Sequence, residues 1–136
     1  MSRIIEIREG EIVLARRIPA AAAWNDGLAF FSQDTDFIQV GQWGYNSGKE
    51  LRAHAHNDVP REVPLTQEVI FVYSGRLRAN IYDSHAHKVA ELDGLPGDVL
   101  VMLRGGHGYD ILEDNTRVLE IKNGPYVGAD ADRRAI

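Results

Sequence analysis

The sequence predicts an all-β, single-domain protein of the sandwich or barrel kind, and three observations carry that reading. Valine and isoleucine together number 22 against 11 leucines, a bias toward β-branched side chains that suit a pleated, half-buried surface better than a helix. Thirteen glycines and five prolines cut the chain into runs of five to nine residues, the spacing of antiparallel strands joined by tight turns. A length of 136 residues with 44% hydrophobic and 26% charged residues matches one domain able to bury a core of its own.

Taken in order, strands are expected near Ile4–Arg8, Ile12–Ile18, Phe37–Trp43, Glu50–His56, Glu68–Ser74, Arg76–Tyr82, Lys88–Asp93, Asp98–Leu103, Tyr109–Glu113 and Thr116–Lys122. About ten short strands fit one jelly roll. Ala20–Phe31 reads either as a helix opened by Pro19 and weakened by Gly27, or as a turn with an apolar anchor. The expected division is 1–36 for N-terminal strands and connection, 37–122 for the barrel core, and 123–136 for a C-terminal arm, which has lost all periodicity and lies on the surface or on a second subunit.

Composition also excludes. A formal charge of −5 and no basic run longer than Arg16-Arg17 or Arg133-Arg134 argue against a nucleic-acid partner. The start of the chain breaks its apolar stretches with charges, so neither a signal peptide nor a membrane span is expected there, and a cytoplasmic location is the default. The absence of cysteine removes disulfides, thiolate nucleophiles, iron–sulfur clusters and sulfur-bound zinc, so a metal here must be held by nitrogen and oxygen. No Walker-type or dinucleotide-binding glycine loop is present, and serine and threonine form no convincing triad.

The informative segment is Glu50-Leu51-Arg52-Ala53-His54-Ala55-His56. On a strand its four polar side chains share one face, and His54 and His56 stand roughly 6 to 7 Å apart along it, close enough to converge on one ion. An isolated His-x-His pair is also what a solvated strand edge looks like. Arg52 would point the same way, to be met by a carboxylate such as Glu50 or by an acidic substrate. The second pair, His85-Ala86-His87, sits beside Asp83 and Ser84 between two strand-like runs and reads as a hairpin tip facing water.

Gly48-(x)5-His54-x-His56, then Glu68-(x)6-Gly75, then Gly97-(x)5-Leu103-Arg104-Gly105-Gly106-His107 resembles the two motifs of the cupin superfamily, G(x)5HxH(x)3–4E(x)6G and G(x)5PxG(x)2H(x)3N. The resemblance covers Gly48 to His107. It implies a double-stranded β-helix barrel, one divalent metal, and His54, His56, Glu68 and His107 as its ligands. Such an N3O set suits Fe, Mn, Ni, Co, Cu or Zn. The chain departs from the pattern at three points: 11 residues separate His56 from Glu68, Leu103 replaces the proline with His107 one residue early, and Ile111 stands where asparagine is expected. Glu62 is a rival to Glu68 by spacing; Glu68 is preferred because it opens a strand-like run, whereas Glu62 lies between Pro60 and Pro64.

The resemblance implies a metal-dependent enzyme of isomerase, lyase or dioxygenase type acting on a small polar or acidic molecule. Arg52, on the ligand face, and Tyr109, two residues past His107 and otherwise a core or interface side chain, are the candidate substrate-binding residues. The alternative is a non-catalytic binding or sensing barrel. The segments Gly105–Thr116 and Gly124–Gly128 look like those of small cupins associated with surface-polysaccharide sugar metabolism, which points to a sugar-derived substrate. Small cupins commonly pair, so a homodimer through the N-terminal strands is expected. Ile70 and Val72 are expected as barrel wall, Trp43, Tyr45, Phe71 and Tyr73 as core or interface, and residues 57–67 as a long connection or a lid.

Overall fold

A computed structural model describes residues 3–136 as ten strands and two single-turn helices: β1 (Ile5–Glu9), β2 (Ile12–Ile18), α1 (Ala20–Ala23), β3 (Gly27–Phe30), β4 (Gly41–Gly44), β5 (Glu68–Ser74), β6 (Leu77–Tyr82), β7 (Lys88–Gly94), β8 (Val99–Met102), β9 (Gly106–Ile111), β10 (Arg117–Lys122) and α2 (Ala129–Asp132). All pairing is antiparallel. A five-stranded sheet runs β1-β2-β8-β5-β10, a three-stranded sheet runs β7-β6-β9, and β3 and β4 form a separate ribbon. The chain is therefore all-β with open sheets. Among the described residues no helix is long and apolar enough to cross a membrane.

The five-stranded sheet is apolar on both faces, which is why β8 reads Val-Leu-Val-Met without alternation and is buried throughout. Its inner face, with Leu14, Ile70, Val72, Leu100 and Met102, packs on Leu77, Ala79, Ile81 and Leu92 of the three-stranded sheet. Its outer face, with Val69, Val99 and Val101, is covered by Ala23 of α1 and by Phe31, Ile38 and Val40. Ile70 and Val72 thus line the inner core as expected, while Phe71 lies on the outer face.

Asp98 ties the corner together. One carboxylate oxygen accepts from the Ala20 backbone N–H at 2.8 Å, and the other from Arg17 at 2.8 Å and the Leu95 N–H at 2.9 Å. Gly75 turns β5 into β6 at φ +79°, with the Thr116 backbone so close that a Cβ would collide with it.

Four expected elements differ. The strand expected over Tyr109–Glu113 starts three residues earlier and runs Gly106–Ile111, because pairing with β6 continues through Gly106 and His107. Glu50–His56 is not a strand: no strand occurs between β4 and β5, and residues 45–64 are all exposed. The face opposite the histidines offers only Leu51, Ala53 and Ala55, too little apolar surface to offset ordering the backbone without a partner strand. The helix expected over Ala20–Phe31 stops after Ala23, because Gly27 takes φ +81° and starts β3. The strand expected over Phe37–Trp43 shrinks to Gly41–Gly44; Phe37 and Ile38 instead donate their N–H groups to the buried Gln67 side chain at 2.8 and 3.1 Å. At the C-terminal arm, Asp132 of α2 accepts a hydrogen bond from Thr66.

Candidate functional site

The inner faces of β5, β9 and β10 converge on one carboxylate. Glu68 begins β5 on the face carrying Ile70 and Val72, and β6–β9 pairing sets Ile81 against His107 and Ala79 against Tyr109. Directly opposed residues point the same way, so His107 and Tyr109 share the inner face with core residues Ile81 and Ala79. His107 Nε2 lies 3.0 Å from Glu68 Oε1. Tyr109 donates its hydroxyl to the same oxygen at 2.8 Å, across a sequence separation of 41. From the other side Lys122 pairs in register with Glu68 and Glu120 with Ile70, and Lys122 Nζ contacts Glu120 at 3.2 Å.

Glu68 is buried. Burial alone would raise its pKa, but the hydrogen bond and charge of His107, with the Tyr109 hydroxyl, outweigh that and hold the carboxyl well below the usual range. Burial, followed by the Glu68 charge, pushes the Tyr109 phenol far above its ordinary value, so it stays a donor. The Glu120 contact raises Lys122, which therefore stays cationic. The result is a buried anionic oxygen held by an imidazole and a phenol, with a second carboxylate and an ammonium on the neighbouring strand.

His54 and His56 form a second, separate pair. Their rings meet edge to face with centroids 5.1 Å apart, and His54 Nδ1 lies 3.2 Å from the Arg52 carbonyl. Both histidines, Arg52, Glu50 and Glu62 are exposed. Among the described residues no three of histidine, aspartate and glutamate come near enough to hold one ion together. The four sequence-predicted ligands thus stand as two pairs, Glu68 with His107 and His54 with His56. Arg52 does not point into a barrel, since its segment pairs with no strand. Tyr109 does sit in the cluster.

The other histidine pair lies at the β6–β7 turn. Asp83 accepts from the His85 and His87 N–H groups at 2.9 Å each, and Ala86 takes φ +62°. Glu120 and Lys122 were not singled out from the sequence; the signal was the alternation Val118, Glu120, Lys122 on one face of the last strand. Gln67, one residue before Glu68 and so on the opposite face of the strand, organises the approach of residues 37–38, its Nε2 also reaching the Leu103 carbonyl at 3.2 Å.

Set beside protein-family models, curated proteins and solved structures, the chain matches none of them. Function has to be argued from the site.

Proposed function

We propose that this chain is a divalent-metal-binding protein of cupin type, a jelly-roll barrel once residues 50–56 pair along a sheet edge, and a metal-dependent enzyme acting on a small polar or acidic, sugar-derived molecule. The observation that carries the reading is the meeting of Glu68 and His107 at 3.0 Å on the inner face of the sheets. A proton shared by an imidazole nitrogen and a buried carboxylate occupies a place where a divalent cation fits, and with no cysteine thiolate in the chain the cluster's donors are imidazole nitrogen and carboxylate oxygen. Glu68 is favoured over Glu62 because it is buried beside a histidine, while Glu62 is exposed.

β9 is the edge of its sheet, so its outer backbone groups have no strand partner there. Residues 50–56 have the alternation of a strand and pair with no strand. Laid along β9, that segment would bring His54 and His56 toward His107, and the four residues would hold the metal. Bound there, the ion supplies Lewis acidity toward a substrate oxygen. The chain's own residues do the remaining work: Tyr109 fixes the Glu68 carboxylate, Arg52 and Lys122 attract an acidic substrate, and the closed segment excludes water. Isomerase, lyase and dioxygenase chemistry all suit such a site. The second reading, a barrel that captures its ligand without turnover, rests on the same ligands.

The test is metal content. Protein made without a histidine tag and purified without chelators should carry stoichiometric metal, and His54→Ala and His107→Ala should each lose it. Metal-free wild type, or variants that keep their metal, would overturn the site. Oxygen uptake and product formation on sugar-phosphate, nucleotide-sugar and keto-acid panels then separate the enzyme from the binder, for which saturable binding without consumption is expected.

A further inference from the structure

Among the described residues, two apolar surfaces have nothing packed on them. The first is one side of the β3–β4 ribbon. Leu28 pairs in register with Trp43 and Phe30 with Gly41, so Leu28, Phe30 and Trp43 share a side, and each is about 60% exposed. The Phe30 ring lies on Gly41, where a Cβ would collide with it, and Tyr45 stacks on Trp43 with centroids 5.9 Å apart. The ribbon presents a ridge of ordered aromatic rings to solvent.

The second is a groove of about 470 Å³ between β5 and β10, lined by Phe71, Tyr73, Arg117, Val118 and Leu119. Leu119 pairs in register with Phe71, and here the covering residues of the outer core run out, leaving Leu119 56% and Tyr73 73% exposed. Trp24 connects the two surfaces. Its ring meets Phe71 edge-on at 5.7 Å, its Nε1–H donates to the Gly97 carbonyl at 2.8 Å, and the ribbon begins three residues later.

We infer that these surfaces form the interface of a symmetric dimer, the aromatic ridge of each copy seated against the β5–β10 groove of the other. The exposed side chains of ridge, groove and Trp24 present on the order of 1,000 Å² of apolar area per chain, counting ~100–200 Å² for each large side chain. That exceeds the ~300–600 Å² patch of an ordinary monomer and reaches the ~800 Å² per partner of a stable interface. A ridge and a groove on the same chain satisfy the demand of two-fold symmetry, that surface i meets j while j meets i, so both are covered at once. A bilayer is the wrong occupant: the net charge of −5 opposes anionic headgroups. The exposed segment 45–64 is wrong too, since its aliphatic residues Leu51, Val59 and Val63 are too few and too spread out to cover the patch.

The test is mass in solution by sedimentation velocity over a concentration series. Wild type should sediment at twice the mass of one chain at micromolar concentration. Trp43→Ser and Leu119→Lys should each weaken the dimer at least ~30-fold, the loss expected when an interface anchor is truncated. Ile4→Lys, ahead of β1 at the far end of the five-stranded sheet, should leave the mass unchanged. Far-ultraviolet dichroism and thermal unfolding report whether each variant folds, and Tyr73→Lys, at the most exposed groove position, serves if either fails. A monomeric wild type, a dimer that survives these substitutions while folded, or one broken by Ile4→Lys would overturn the proposal. Metal content is read separately and has no bearing on it.

Discussion

At the scale of single residues, the cluster around Glu68 shows how burial and hydrogen bonding compete for one carboxyl group. Its anionic form survives burial because His107 and Tyr109 both serve one oxygen. Tyr109→Phe should leave the fold intact and weaken metal binding roughly 10-fold, the usual cost of losing a group that orients a ligand; competition with a chelating dye measures it. A second carboxylate contributes to acid stability. The hydrogen bonds of Arg16 and then Arg8 hold Glu6 below its ordinary value of 4.5, and Arg16 is buried between Glu6 and Asp36 at 2.7 Å from each. A lowered folded-state value means the contribution is fully present above pH 4.5 and is lost as the pH falls through the folded value. Glu6→Gln should therefore lower stability at neutral pH and flatten the fall in acid, as read by urea unfolding along a pH series. Of the site residues, Glu68, His107 and Tyr109 were legible in the sequence from strand spacing and resemblance. Glu120 and Lys122 were not, because their part comes from β10 pairing with β5 rather than from any local motif.

At the scale of elements, turns and core strands were legible and edges were not. β5 to β8 and β10 match the expected strands closely, because β-branched runs bounded by Gly75, the Asp83-Ser84 turn, Gly94 and Asn115 leave little choice; β9 was expected over Tyr109–Glu113 and instead runs Gly106–Ile111, where pairing with β6 extends it through the glycines. Strand β3 hid inside the helix-or-turn expectation for Ala20–Phe31, and residues 50–56 show strand alternation without strand structure. Alternation says which side chains share a face; it does not say whether an edge is available to pair with. Two substitutions probe the elements that hold. Asp98→Ala removes the partner of buried Arg17 together with the acceptor of two backbone N–H groups, and should cost about 3–5 kcal/mol in denaturant unfolding. Gly75→Ala forces a side chain into left-handed backbone against Thr116 and should cost at least about 2 kcal/mol.

At the scale of the whole molecule, two open apolar sheets packed around a core coexist with a stretch of 20 exposed residues, 45–64, that carries half of the expected metal ligands. The segment pairs with no strand, and on the proposed function a metal shared between His54, His56, Glu68 and His107 would supply the free energy to seat it along β9. Saturating metal at ~100 times its dissociation constant would add about 2.7 kcal/mol to the closed state. Hydrogen–deuterium exchange of residues 45–64, with and without added zinc, tests this most directly. The account predicts that zinc slows exchange across residues 50–56 in the wild-type protein and has no effect there in His107→Ala. Fast exchange with zinc present, or equal protection in the His107→Ala variant, would contradict a site shared between the segment and the sheet.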